Sequence, residues 1–388
     1  MQTPVYLDYN ATTPLDERVL EAMMPYLQGK FGNPSSSAHW FGWQAVAAVE
    51  LARKRVAECI GATDPQEIIF TSGATESVNL ALRGVADIAG SGHIISVATE
   101  HKAVLDTLSY LQRKGFSVTL LAVDEYGLID MTELESAFRS DTLLVSVMHA
   151  NNETGTINDI ASIGAVCRER GVLFHTDATQ SVGKYPFNVL DMNVDFASFT
   201  AHKMYGSKGS GVLYLRKCFP RIAIEPLLMG GGQEFGLRSG THNVAGIVGL
   251  QKALELCTSA MSEESLKCRD LRDGLYTRLL QEIPSIELNG VPINDPRHMP
   301  GTLNISFPGV LSSLMMSGIN DVAMSAASAC GTSDGSYSHV LRAMNVGDVR
   351  GESAIRISVG RYTTNDEINY AAGQLVAQYQ SLADVRVA

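Results

Sequence analysis

Apolar runs of strand length recur at 68–71, 93–98, 118–123, 143–149, 172–177, 195–199 and 211–215, most of them separated by helix-length segments such as 43–60, 102–114 and 160–170. Strands that read as continuous apolar runs need cover on both faces, and intervening helices supply it while making neighbouring strands parallel. The pattern predicts an α/β fold: a mainly parallel seven-stranded sheet sandwiched by helices. Past Gly249 it changes to a long helical stretch reaching about Gln281, then to two short strands at 303–307 and 354–359 with helices between and after. We expect a large domain over 15–255 and a smaller α+β domain from 1–14 and 256–388, the first residues folding back onto the C-terminal part. The 388 residues, 45% of them hydrophobic, suffice for both cores.

Ligands of open sheets collect at the carboxyl ends of strands, where Thr75, His101, Asn152, Asp177 and His202 all fall. Two of these ends carry a complementary pair. The run 172–176 delivers Asp177, and the run 195–199 leads into Thr200-Ala201-His202-Lys203. An amine to hold an aldehyde as a Schiff base, with a carboxylate to keep a pyridine nitrogen protonated, is what pyridoxal 5'-phosphate chemistry requires. Either residue alone would ordinarily do no more than solvate a loop. Thr71-Ser72-Gly73-Ala74-Thr75-Glu76-Ser77 adds a phosphate site. It follows an apolar run and opens a helix, so backbone N–H groups and the helix dipole would face an anion, with Ser72, Thr75 and Ser77 as hydroxyl donors. Alone, the same segment also reads as an ordinary helix cap, a hydroxyl with a glutamate nearby.

In this setting the chain resembles the cysteine desulfurases, pyridoxal-phosphate enzymes of fold type I within the class V aminotransferase group. The resemblance rests on ordered motifs along nearly the whole chain. They are 6–14, Gly73-Ala74-Thr75-Glu76-Ser77, Thr99-Glu100-His101-Lys102, Asn151-Asn152-Glu153-Thr154-Gly155, Asp177-Ala178-Thr179-Gln180-Ser181, His202-Lys203, Arg238-Ser239-Gly240-Thr241, Ser328-Ala329-Cys330 and Ile355-Arg356. It implies that Lys203 carries the cofactor, that Asp177 meets the ring nitrogen, and that His101 stacks on the ring and moves protons. Residue 101 could equally be a helix-capping neighbour. Gln180 would donate to the cofactor's phenolate oxygen, with Asn152 close to the same oxygen and to the substrate carboxylate. Ala74, Thr75, Thr200 and His202 would form the phosphate cup, joined by Thr241 from a neighbouring subunit of a homodimer. Arg356 is the expected fork for the substrate's α-carboxylate, a bidentate task that suits a guanidinium. Asn10 joins it as a substrate contact. The implied reaction converts L-cysteine to L-alanine and leaves the sulfur on an enzyme cysteine for an acceptor protein, serving iron–sulfur cluster assembly or nucleic-acid thiolation.

Six cysteines stand at 59, 167, 218, 257, 268 and 330, with no C-x-x-C pair and no zinc-like spacing. Cys59, Cys167, Cys257 and Cys268 read as small apolar residues of helix faces, and Cys218 as partly exposed. Cys330 lies in a small, polar, glycine-bearing stretch that reads as a loop carrying an accessible sulfur. By resemblance it is the nucleophile of the long-loop subgroup, and it could also serve a cluster transiently; no other metal site is expected. Similar enzymes usually show Gly-Ser-Ala-Cys-Thr-Ser, whereas Ala327 and Gly331 stand here. We therefore expect Cys330 to rest away from the cofactor on a poorly ordered segment, roughly 329–337.

Bulk properties narrow the partners. A formal charge of −11 speaks against a broad nucleic-acid-binding face. No apolar run approaches the roughly 20 residues a membrane helix needs, and the first residues lack a secretory pattern, so a cytoplasmic protein with reduced thiols is expected. The 375–388 stretch lacks the extended tail with which similar housekeeping enzymes hold a cluster scaffold, which points to a dedicated pathway. Two other readings share these residues: a different fold type I enzyme, such as an aminotransferase or selenocysteine lyase, and a sulfur-relay scaffold.

Overall fold

A computed structural model describes residues 3–326 and 337–384; Cys330, and with it the expected resting position of its loop, lies outside the described residues. The chain opens with β1 (Val5–Tyr6), α1 (Glu17–Leu27) and α2 (Trp40–Ile60). Strands and helices then alternate: β2 (Ile68–Thr71), α3 (Ala74–Ala89), β3 (His93–Val97), α4 (Lys102–Arg113), β4 (Ser117–Leu121), α5 (Met131–Ala137), β5 (Thr142–Ser146), α6 (Ile160–Arg170) and β6 (Leu173–Asp177). β7 (Phe196–Thr200) and β8 (Gly211–Leu215) close the first part, and α7 (Val244–Glu282) begins the second. There follow β9 (Glu287–Leu288), β10 (Thr302–Ser306), α8 (Ser312–Ser317), β11 (Val322–Ala323), β12 (Ser325–Ala326), α9 (His339–Ala343), α10 (Asp348–Glu352), β13 (Ala354–Ser358) and α11 (Asn365–Asp384).

Seven strands form one sheet in the order β2-β8-β7-β6-β5-β3-β4. Only β8 runs against its neighbours; the β7–β6–β5–β3–β4 pairings are all parallel. Strand period two sorts the side chains between two cores. Ile69, Ile94, Leu144 and Phe196 pack with α3 and α4, whereas Ile68, Phe70, Ile95, Val145 and Phe199 pack with residues of α2, α6 and α7. His175 in the middle strand is a core histidine, its ring nitrogens bonded to Ser146 and Ser198 of the flanking strands at 2.8 and 3.0 Å. Burial pushes its pKa down to about 3, so it stays neutral.

A second sheet, β12-β13-β10-β9, is antiparallel throughout and lies over a separate core. Helix α7 runs unbroken past the boundary expected near Leu256. Its Ile247, Leu250, Ala253 and Leu254 belong to the first core; its Cys268, Leu271, Leu275 and Leu279 belong to the second. Val5 and Leu7 also pack in the second core, and β1 pairs in parallel with β11. Tyr337, at the far end of the segment expected to be poorly ordered, is buried at 8% exposure.

The glycine-rich stretch between β8 and α7 is pinned by one carboxylate. Glu234, buried and at φ 47°, accepts from both Arg53 terminal nitrogens at 2.7 Å, from Phe70 N at 2.7 Å and from His242 Nε2 at 2.6 Å. That joins α2, β2 and the 230–241 loop at a single group. Glu234→Ala would remove the bidentate buried partner of the Arg53 guanidinium and leave it only the exposed Glu50, 3.2 Å from its Nε. We expect a loss of about 3–5 kcal/mol, read as a lower urea midpoint at unchanged slope.

Candidate active site

A cavity of about 600 Å³ opens where β2, β5, β6 and β7 end, and its lining includes Asn10, Ala74, Thr75, His101, Asn152, Asp177, Gln180, Thr200, His202, Lys203 and Arg356. These residues come from seven separate stretches of chain. Thr241 does not line it; it is exposed on the surface of the chain. A volume of this size is ordinary for a small-molecule site.

Lys203 ends a short helical turn after β7, and its Nζ donates to the carbonyls of Asn10 and Ala11 at 2.6 and 2.7 Å. Burial, reinforced by Lys184 and Arg356, pushes its pKa down to about 7, while Asp8 and Asp177 act the other way. A lysine so placed is a substantial fraction neutral near pH 7 and so nucleophilic. Asp177 closes the adjacent strand β6, is 5% exposed, and accepts the Thr179 N–H at 2.9 Å.

His101 caps α4: its Nδ1 accepts from Ala103 N at 3.1 Å. The capping reading therefore holds, in a residue that also lines the cavity. With Nδ1 an acceptor, the neutral ring carries its proton on Nε2. The ring is accessible from the cavity, yet the surrounding protein and Lys203 lower its pKa, opposed by Asp177. His202 is also held neutral, its pKa brought to about 4 by burial and by Lys203; its Nδ1 meets Thr12 Oγ1 at 3.2 Å.

The start of α3 forms an anion cradle. Gly73, its N-cap, offers no side-chain bond, so the first-turn N–H groups have no acceptor within the helix. Glu76 takes the Ser72 N–H at 2.7 Å and pairs with Arg238 at 2.8 Å, so a cap and a cradle coexist. The hydroxyls differ from expectation. Ser77 is wholly buried, sharing 2.7 Å with Thr71 Oγ1, and Thr200 donates its hydroxyl proton to Ser210 O at 2.9 Å. Neither has its proton free for a phosphate; the backbone of Ala74 and Thr75 and the Thr75 hydroxyl remain, and Ser72 lines the cavity beside them.

Arg356, on β13, spans the two cores. Its Nη2 donates to Asp8 Oδ1 at 2.8 Å and Ser325 Oγ at 2.9 Å, and its Nη1 to Asn152 O at 3.1 Å. Its Nε is buried with no partner among the described residues. A guanidinium with an unspent donor, at the cavity wall, fits a carboxylate ligand. Asn10 holds the corner, donating to Asn152 O at 3.2 Å and Thr302 Oγ1 at 2.9 Å. Asp8 and Ser325 were not singled out from the sequence, because Asp8 stands 348 positions from the arginine it orients.

These groups fit pyridoxal 5'-phosphate: an amine, a buried carboxylate at the end of the adjacent strand, and a helix start for the phosphate. The sheet order and the placing of lysine and aspartate on adjacent strand ends are those of fold type I. The class V aminotransferase family matches residues 5–370. The cysteine desulfurase IscS of Salmonella schwarzengrund is 49% identical over 375 residues, 96% of this chain and 91% of the relative. A solved NifS-like protein is 40% identical at a TM-score of 0.89, over 98% of this chain and 99% of its own. The solved SspA in complex with cysteine is 37% identical at 0.82, over 93% of this chain and all of its own. The chain belongs to the cysteine desulfurases of the class V aminotransferase family, whose members use pyridoxal 5'-phosphate.

The cradle has a steric requirement that can be tested. A Cβ on Gly211 of β8 would stand 2.5–2.8 Å from the backbone of Gly73. Gly211→Ala must push the helix start outward, at about 1–3 kcal/mol. We expect roughly tenfold weaker retention of pyridoxal 5'-phosphate in equilibrium dialysis, with the fold retained by circular dichroism.

Proposed function

We propose that this protein takes L-cysteine to L-alanine and passes the sulfur, as a persulfide on Cys330, to an acceptor protein. The observation that carries the reading is the convergence of Lys203, Asp177 and Arg356 on one cavity. Lys203 would hold the cofactor aldehyde, Asp177 its ring nitrogen, and the α3 start its phosphate, with His101 over the ring and Gln180 beside it. When bound, pyridoxal 5'-phosphate supplies a sink for the charge left at the substrate's Cα.

The chain's own residues do the rest. Arg356, oriented by Asp8, grips the α-carboxylate, with Asn10 and Asn152 alongside. Lys203, displaced from its anchoring carbonyls and neutral in large part near pH 7, takes the Cα proton. His101 holds a proton on Nε2 at the cavity wall and can return it as the product forms. The Cys330 thiolate makes a bond to the substrate sulfur while the Cβ–S bond breaks; that bond's electron pair stays with the carbon skeleton, which leaves protonated as alanine. SspA, a relative, is solved with cysteine bound, which supports the substrate.

The reading extends to a homodimer and to the cytoplasm. Trp40, Phe41 and Trp43 are each between 46% and 63% exposed, more apolar surface than a monomer ordinarily leaves in one region of chain, and Met229, beside the glycine-rich loop, is 77% exposed. Thr241, exposed at the end of the 230–241 loop, is free to meet a neighbouring subunit's phosphate site. Cys59, Cys167, Cys218, Cys257 and Cys268 are all unpaired, as in a reducing compartment. Among the described residues no helix is long and apolar enough to cross a membrane. The acceptor would serve iron–sulfur cluster assembly or nucleic-acid thiolation.

Borohydride reduction of the loaded protein should leave the pyridoxyl group on Lys203 in peptide mapping; label on another lysine would overturn the assignment. In cofactor-free protein the rate of loading should rise through about pH 7 and level off above it, because the neutral amine reacts and its pKa lies there. Cys330→Ala should abolish persulfide formation and alanine release while cofactor binding persists. Undiminished alanine production by that variant would favour a lyase or aminotransferase that has no need of the thiol.

A further inference from the structure

One cation near the site helps to lower the Lys203 pKa yet has no bonding role in the chemistry above. Lys184 lies one turn beyond Gln180, and its Nζ donates to Gln180 Oε1 at 3.2 Å. Gln180 Nε2 donates in turn to Asn10 O at 3.0 Å, and that carbonyl also accepts from Lys203 Nζ at 2.6 Å. Amine, amide, carbonyl and amine thus follow one another in a line that ends at the reactive lysine. An ammonium has donors only, whereas a side-chain amide has one oxygen and one NH2. Facing Lys184 the amide can present only its oxygen, and facing the Asn10 carbonyl only its NH2. Half a turn of the amide would replace two hydrogen bonds with two repulsive contacts, among groups largely shielded from water.

Packing alone does not account for a lysine here. Beyond Lys184 lies a small cavity shared with Tyr9, Tyr205 and Cys268, and burial pulls the Lys184 pKa down to about 8. An unbranched apolar side chain would occupy this place without the desolvation penalty of an ammonium. What an apolar side chain would not supply is the hydrogen bond to the Gln180 oxygen.

We propose that Lys184 is a positioning residue: by holding the Gln180 oxygen, it points the Gln180 NH2 toward the Asn10 carbonyl and the Lys203 side of the cavity. The inference rests on the assignment of that cavity as the cofactor site. There it makes Gln180 a fixed donor beside Lys203 rather than a rotor.

Two measurements test it. In cofactor-free protein labelled at glutamine side chains, the Gln180 NH2 resonances, assigned by their absence in Q180M, should exchange with solvent about tenfold faster in K184M, as for loss of a charged hydrogen bond, and near the wild-type rate in K184R. In pyridoxal 5'-phosphate-loaded protein, K184M should move the pH midpoint of the visible absorbance by about half a unit or more, and should move it far less in a Q180M background. Equal shifts in both backgrounds would mean that Lys184 acts by charge alone, and unchanged NH2 exchange in K184M would mean that Gln180 is not held; either result overturns the proposal. If even the wild type takes up no cofactor, the cavity assignment fails by itself and the exchange measurement still decides whether Lys184 holds Gln180.

Discussion

The central sheet is buried on both faces, and every other feature of the molecule follows from that. Strands β2, β3, β7 and β8 are buried at every position, so nothing in their bodies can reach a ligand. A polar side chain inside carries a desolvation cost unless it is paired, as His175 is with two serines; Thr176 Oγ1 and Tyr214 OH are buried there without a partner among the described residues. Chemistry is thereby confined to strand ends, and parallel pairing gathers those ends along one edge. Asp177 and Lys203 become neighbours because β6 and β7 are adjacent and parallel.

The second constraint is electrostatic. Lys184, Lys203 and Arg356 influence one another's surroundings, with Asp8 and Asp177 as the nearby counter-charges. Arg356 is neutralised by a direct ion pair with Asp8 at 2.8 Å, whereas Lys203 rests only on backbone carbonyls. The arginine therefore remains a stable cation suited to hold a carboxylate. The two lysines lack a carboxylate partner and hold their protons more loosely, Lys203 more so than Lys184. One cluster thus contains a paired cation and two loosely held ones, and the difference lies in their partners.

Much of this was legible in the residues themselves. The strand runs and the helices at 43–60, 102–114 and 160–170 correspond to elements of the structure with ends shifted by a few residues, since local signals specify ends poorly. The two-residue strands β1, β9, β11 and β12 were not foreseen, because a pairing that short has no periodicity to detect. The long helical stretch expected past Gly249 corresponds to α7, which begins a few residues earlier at Val244. The hydroxyls of Ser77 and Thr200 looked like anion donors by position, yet their protons are spent within the fold.

By itself the sequence determined the class of fold and the placing of Asp177, Lys203 and Gly73 at strand ends and a helix start, because each depends on chain-local rules: strand period, the turn after a strand, and the helix start. Tertiary structure alone decided which groups act on which. Asp8 orients Arg356, Glu234 ties the 230–241 loop to α2 and β2, and Lys184 reaches Lys203 through Gln180 and the Asn10 carbonyl. Hydrogen bonds and ion pairs form across distances of a few ångströms between residues far apart along the chain, and no local pattern of residue types encodes those distances.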